Sequence, residues 1–393
     1  MKNWIRTSFF TFITLLLISI GIFYIFNINL SWPSRDIEFK AEPLVRDSKE
    51  PYSGDVPKNI IIFIADGMGF SHLSLSLMTQ PNEGKGPTWY EFDVKGWHDP
   101  RSLVGAITDS EASATAMSTG TSTNFGHIGI NNDGEKLENI FEIASELEYT
   151  TGIVTDSYIW DGTPAAFSAH TRNEDDARDI MQQIANGQLD LIFGELEDVG
   201  EDDVPEVDES LDILKKRFQL LDENLTLPSG SNSSVPVAAI YMEDEVQDVD
   251  SNPNLSTLTN TALQYMTAQD KPFMLLVECE EMDSASHQND SDRVVRGLAS
   301  IEQTLSLILN FSKTHGETLV IFTADHETGG LAAVSDFDTY PNLQIKWATK
   351  DHSAAVVPLF AEGPGAQYFS DVHRNWEIGQ RLKSLLVKDT LSN

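Results

Sequence analysis

Lys58-Asn-Ile-Ile-Ile-Phe-Ile-Ala65-Asp66-Gly67-Met68-Gly69 runs from an unbroken apolar stretch into an acid and two glycines. An apolar run without polar alternation predicts a strand buried on both faces, as in a parallel sheet. The glycines after Asp66 predict a tight turn at the strand's carboxyl end, where open α/β sheets bind their ligands. Asp66 alone reads equally well as a capping residue of a strand-to-helix turn.

Two more apolar runs end in the same way. Val277-Glu278 is followed by Asp283 and His287, and Thr323-Ala324 leads into Asp325-His326-Glu-Thr-Gly-Gly. Asp, Glu and His together make the ligand set of a hard-to-borderline divalent metal. Glu278, Asp283 and His287 stand five and then four residues apart, and the last step returns to one face of a helix. With Glu280 and Glu281 beside them, they also read as a solvated acidic loop. His352, in Thr349-Lys-Asp-His-Ser353, reads alone as a surface histidine.

A fourth segment, Thr108-Asp109-Ser110-Glu111-Ala-Ser-Ala-Thr-Ala116, is rich in small residues and predicts a helix opening at Ser110. A serine there sits in a field that favours anions, and a nearby metal would make it a nucleophile. It is also an ordinary place for a cap. Thr163, in Asp161-Gly-Thr-Pro-Ala-Ala, reads as a turn residue or as an uncommon magnesium ligand.

Elsewhere the pattern alternates. Strands are expected at 151–155, 235–242, 272–278, 318–323, 331–334 and 355–361, and helices at 137–147, 175–184 and 292–315. The fold class is therefore α/β, with a large, mostly parallel central sheet and helices on both faces. Residues 187–234, acidic and then Ser/Gly/Asn-rich, read as a peripheral insert within the 58–393 catalytic domain.

The chain has 393 residues, with 26 Lys plus Arg against 61 Asp plus Glu, a net charge of −35. That surface repels nucleic acid, so no nucleic-acid partner is expected. Cys279 is the single cysteine, which removes intrachain disulfides and cysteine zinc sites. Lys2 and Arg6 precede an apolar run from Phe9 to Phe26. Residues 1–30 read as a signal-anchor or transmembrane helix and 31–57 as a tether, with the catalytic domain periplasmic or extracellular. The alternative is a cleaved signal peptide and a secreted protein.

In order along the chain, Asp-Gly-Met-Gly, Thr-Asp-Ser-x-Ala-Ser-Ala-Thr-Ala, Thr-Pro-Ala-Ala, Val-Glu-(four)-Asp-(three)-His, Thr-Ala-Asp-His and His-Ser-Ala-Ala-Val-Val-Pro-Leu-Phe resemble the alkaline phosphatase family. The similarity runs from about Asn59 to about Phe369. It implies a metal-dependent phosphomonoesterase with a phosphoserine intermediate on Ser110. It further implies one zinc on Asp283, His287 and His352, a second on Asp66, Asp325 and His326, and a magnesium on Asp66, Thr163 and Glu278. Asp109 and Asp161 would stand behind the direct ligands. A homodimer is the family's frequent assembly.

Two departures follow from the same resemblance. The family has an arginine gripping phosphate soon after the Thr-Pro-Ala-Ala segment. Read without gaps, Glu174 falls there; a short deletion would let Arg172 serve, and Arg172 is the expectation. Glu111, directly after Ser110, stands where the family usually has alanine. The competing functions are a phosphodiesterase or sulfatase on the same bimetal core, and an inactive binding scaffold.

Overall fold

The structure, a computed structural model, describes Gly54 and residues 56–80, 87–197, 206–230, 234–335 and 342–392, with side chains through Val387. The anchor expected in residues 1–30 and the tether as far as residue 53 lie outside the described residues. No helix among the described residues is long and apolar enough to cross a membrane.

Among the described residues, thirteen strands follow one another: β1 (Asn59–Ala65), β2 (Val94–His98), β3 (Thr150–Tyr158), β4 (Leu191–Leu196), β5 (Gln219–Leu220), β6 (Val237–Met242), β7 (Phe273–Cys279), β8 (Thr318–Thr323), β9 (Glu327–Thr328), β10 (Ala332–Val334), β11 (Gln344–Lys346), β12 (His352–Ser353) and β13 (Val357–Glu362). Nine of them form one sheet in the order β2-β13-β8-β1-β7-β3-β4-β6-β5. The pairs β8-β1, β1-β7, β7-β3, β3-β4, β4-β6 and β6-β5 are parallel, and β13 runs antiparallel between β8 and β2.

The apolar run that opened the sequence reading is β1, and every one of its residues is buried. Alternation sends Ile60, Ile62 and Ile64 to one core and Ile61, Phe63 and Ala65 to the other. The first core is closed by the helices Ser110–Thr119, Ile140–Glu146, Ala177–Asn186 and Asn375–Ser392. The second is closed by Phe70–Thr79, Leu255–Ala268 and Ser291–Thr314. Because β1, β3, β7 and β8 are parallel neighbours, their carboxyl ends lie along one edge of the sheet.

Two expectations about this sheet need correction. Residues 187–234 are not simply peripheral: they supply β4, fully buried in the sheet, and the short edge strand β5. The acids around Leu191-Ile-Phe-Gly-Glu-Leu196 hide it. Its own Glu195 stays inside because its carboxylate accepts from the backbone N–H groups of Asp244 and Val246, at 2.9 and 2.8 Å. Residues 331–334 do not finish the sheet either; β10 pairs only with β11 in a separate ribbon.

Candidate active site

Asp66 caps β1 at the sheet's carboxyl edge. Gly67 behind it holds φ +69°, and a Cβ there would stand 2.8 Å from the Cα of Asp283. A Cβ on Gly69 would meet the Glu327 side chain at 2.2 Å. Both glycines therefore exist so that the turn can press against the other two acidic segments.

Asp325 and His326 follow β8, and the helix Ser110–Thr119 brings its first residue to them. Ser110 Oγ lies 3.2 Å from His326 Nε2. The same nitrogen is 3.4 Å from Asp66 Oδ1 and 3.3 Å from Asp325 Oδ2. Asp66, Asp325 and His326 are all buried, and neither of those two carboxylate oxygens has a hydrogen-bond partner. Asp109 caps the helix by accepting from Ala112 N at 2.9 Å, and it also accepts from Gly126 N.

Asp283 and His287 share the Glu281–His287 helix, and His352 arrives on β12, which pairs with β9 right after His326. His287 Nε2 stands 3.1 Å from both Asp283 Oδ2 and His352 Nε2. Each imidazole is aimed by its other nitrogen, at Lys350 O for His287 and at Thr108 O, 2.8 Å away, for His352. Such partners fix which nitrogen faces a metal. Sequence reasoning passed over Thr328, whose hydroxyl donates to Asp283 and lies 3.2 Å from His326 Nδ1. Its place two residues after His326, at the end of β9, was the available signal.

Glu278, the penultimate residue of β7, lies beside Thr163, in the short helix Gly162–Ala166, and its charge reaches Asp66. A register shift in β3 between Val154 and Tyr158 points two hydroxyls at this group. Thr155 Oγ1 donates to Glu278 and Ser157 Oγ to Asp161, both at 2.6 Å. Neither was singled out in the sequence, where Thr155 read only as the last residue of the strand 151–155 and Ser157 lay beyond it. Thr163 is buried, and its hydroxyl lies close enough to Glu278 to favour the charged carboxylate.

Three donor sets thus converge, two of acids with imidazole and one of oxygens alone. Leaving a buried charge unpaired costs about 3–5 kcal/mol. Asp66 Oδ1 and Asp325 Oδ2 would each carry a cost of this kind without a cation, so the residues fit divalent metals. The oxygen set suits magnesium and the mixed sets suit zinc.

Arg172 is not brought to this centre. It is exposed, donates to Asp133 O and lies against Gly134. Glu174 takes the place instead: one oxygen each from Asp109, Glu111 and Glu174 lies within 4.8 Å of the others. Among the described residues, no Arg or Lys forms an ion pair with Asp66, Asp109, Glu111, Asp161, Glu174, Glu278, Asp283 or Asp325. Replacing this carboxylate with a guanidinium, Glu174→Arg, should lower KM for a phosphate monoester about 10-fold, through a bidentate grip on phosphate. Steady-state kinetics at fixed ionic strength tests it, and an unchanged KM places Glu174 outside the substrate's reach.

Charge is crowded here. Burial, then Asp325, Asp283 and Glu278, push the Asp66 carboxyl well above its usual range. Burial and then Asp161 do the same to Glu278. Burial alone would raise Asp283, but its bond to His287 and the surrounding imidazoles bring it down to about 2. That bond lifts His287 to about 9. For the metal-free protein Asp66, Glu278 and His287 share one sign, while Asp283, held low, gives stability that is lost as pH falls toward about 2. Raised carboxyls give stability at low pH that is lost as pH climbs through their folded values. The raised imidazole gives stability present below its ordinary value near 6.5 and lost as pH passes about 9. Chelator-treated protein should lose Tm between pH 6.5 and 9, and metal-loaded protein should hold it. Parallel Tm curves for the two forms would dissociate these groups from metal.

The Alkaline phosphatase family profile matches residues 57–204 and 238–341, well over half of the chain. The chain belongs to the alkaline phosphatase family. It is 29% identical over 308 residues to alkaline phosphatase 3 of Bacillus subtilis, covering 73% of this chain and 65% of that protein. It is 32% identical over 318 residues to the alkaline phosphatase of Schizosaccharomyces pombe, covering 72% and 58%. The chain thus spans less than two thirds of these relatives' length. Among solved structures, the alkaline phosphatase of the Antarctic bacterium TAB5 superposes with a TM-score of 0.76 at 28% identity, over 85% of this chain and 99% of that one.

Proposed function

We propose that this protein hydrolyses phosphate monoesters through a phosphoserine on Ser110, using two zinc ions and one magnesium. The observation that carries the reading is Ser110 Oγ, 3.2 Å from His326 Nε2, at the meeting point of three converging donor sets. A variant of the TAB5 alkaline phosphatase is described with magnesium in its M3 site, which supports a third metal in relatives of this chain.

Ser110 Oγ attacks phosphorus, the bond from phosphorus to the alcohol oxygen breaks, and the alcohol leaves with a proton. Water then attacks the phosphoserine, releasing inorganic phosphate and restoring the hydroxyl. Asp283, His287 and His352 would hold one zinc, Asp66, Asp325 and His326 the other, and Asp66, Thr163 and Glu278 the magnesium. When bound, these ions supply Lewis-acid stabilisation of charge on the attacking and leaving oxygens. Asp109 holds the helix start in place, and Asp161, gripped by Ser157, stands beside the oxygen set.

A second reading rests on Glu111 and Glu174. A phosphodiester carries one negative charge where a monoester carries two, so an acidic mouth penalises it less. Hydrolysis of a chromogenic monoester, the matching diester and a sulfate ester at about pH 8–10, with both metals and with a chelator, separates the readings. Chelator-sensitive monoester turnover supports the first, and diester preference replaces it with the second. The chain would act as a homodimer tethered by residues 9–26 with its catalytic domain outside the membrane, or as a secreted enzyme if that segment is cleaved.

A further inference from the structure

The turn carrying Asp325 and His326 is held from behind by buried polar side chains that no hydrolytic step uses. Ser113 lies one turn after Ser110 on the same helix, and its hydroxyl donates to the main-chain oxygen of Asp325 at 2.8 Å. Asn375, which begins the C-terminal helix Asn375–Ser392, donates through Nδ2 to Ser113 Oγ at 3.2 Å and to Pro100 O at 2.6 Å. Asn375 Oδ1 accepts from Trp376 N at 2.9 Å. Ser113 and Asn375 are both 0% exposed. The serine gives its one proton to Asp325 and receives one from Asn375. Both amide hydrogens and the amide oxygen of Asn375 are engaged. A saturated network in a dry interior admits one arrangement and resists others.

The placement gives this network a purpose. Ser110 and His326 sit on different elements, and Ser113 is a direct tie between those elements, one helical turn from the nucleophile. From the other side, His98 on β2 lies 2.8 Å from Thr323 Oγ1 and 3.2 Å from Ala324 O, bracing the same strand end. Asn375 lies outside the residues matched by the family profile.

We propose that Asn375 and Ser113 form a positioning relay that fixes the Asp325–His326 turn against the Ser110 helix, and with it the metal geometry at the nucleophile. Neither residue touches substrate. The kinetic part rests on the phosphomonoesterase reading; the metal-holding part does not.

The test uses the full chain with Ser113→Ala, Asn375→Leu and the double variant. Alanine suits a helix and removes one oxygen, so Ser113→Ala keeps the fold even where Asn375→Leu does not. Zinc affinity, measured by competition with a chelating dye and without substrate, should weaken about 10-fold in each single variant. For p-nitrophenyl phosphate, kcat should fall about 10-fold with KM held within about 2-fold. Asn375→Leu should add less than about 2-fold to Ser113→Ala, because it acts through the same hydroxyl. Independent, additive losses overturn the relay. So do unchanged zinc affinity and kcat, or a fall in metal-free Tm as the sole effect. If the wild-type protein hydrolyses no phosphate ester, the functional reading fails and the zinc competition still decides the relay.

Discussion

Ser110→Ala lowers the turnover of a phosphate monoester about a thousandfold or more and leaves the zinc content unchanged. The substitution is clean for structural reasons. Among the described residues the Ser110 hydroxyl bonds His326 Nε2 alone, at 3.2 Å, so its removal strands no other buried group there. The helix start survives because Asp109 supplies the cap, and alanine favours the helix that follows. What remains is a metal centre without its nucleophile, able to bind phosphate and to act slowly through water. Acid-quenched mass spectrometry provides the second readout. The wild-type peptide containing residues 110–119 should gain one phosphoryl group during turnover, and the variant peptide should not. Near-wild-type turnover by Ser110→Ala would mean direct attack by water and would remove the phosphoserine from the mechanism.

The parts of this centre that were legible in the sequence share one physical trait: they sit at the ends of uninterrupted apolar runs. Ile60 to Ala65 could not be covered on both faces except within a parallel sheet, and a parallel sheet gathers its carboxyl ends. Asp66, Glu278 and Asp325 were therefore placed together by topology before any side chain was considered. His352 was harder. It precedes an apolar run, Ala354 to Phe360, instead of ending one, and the pairing of β12 with β9 carries it beside His287.

What stayed hidden depended on long-range fit. Leu191 to Leu196 was obscured by the acids around it in the sequence and by Glu195, which is tolerated inside because loop N–H groups bind it. The choice between Arg172 and Glu174 turned on where a loop bends. The bend gives the arginine to Asp133 and the glutamate to Asp109 and Glu111. Thr155 and Ser157 carried no pattern of their own, because a register shift in β3 aims them. No helix was expected at Asn375, and its role shows only where that helix docks against Ser113.

Asp66→Asn should move activity and stability in opposite directions. The carboxylate is 4% exposed, has one oxygen without a hydrogen-bond partner, and is shared between two of the proposed metal sets. The amide keeps its shape and loses its charge. Monoester hydrolysis should fall about 100-fold or more, because one substitution weakens two sites. The metal-free protein should become more stable. Burial, and then the neighbouring acids Asp325, Asp283 and Glu278, hold the wild-type carboxyl above its usual range, so its charged form costs stability at neutral pH. Asparagine removes that charge, and a gain of about 1 kcal/mol would raise Tm by about 2–4 °C. The metal-free Tm of the variant should also fall less steeply as pH rises. Calorimetry of chelated and metal-loaded samples gives both readings. A centre built to hold cations is strained without them, so relief of that strain is the mark of a ligand. If Asp66→Asn lowers the metal-free Tm instead, the carboxylate is a structural cap on β1 and the two metal sets lose their common member.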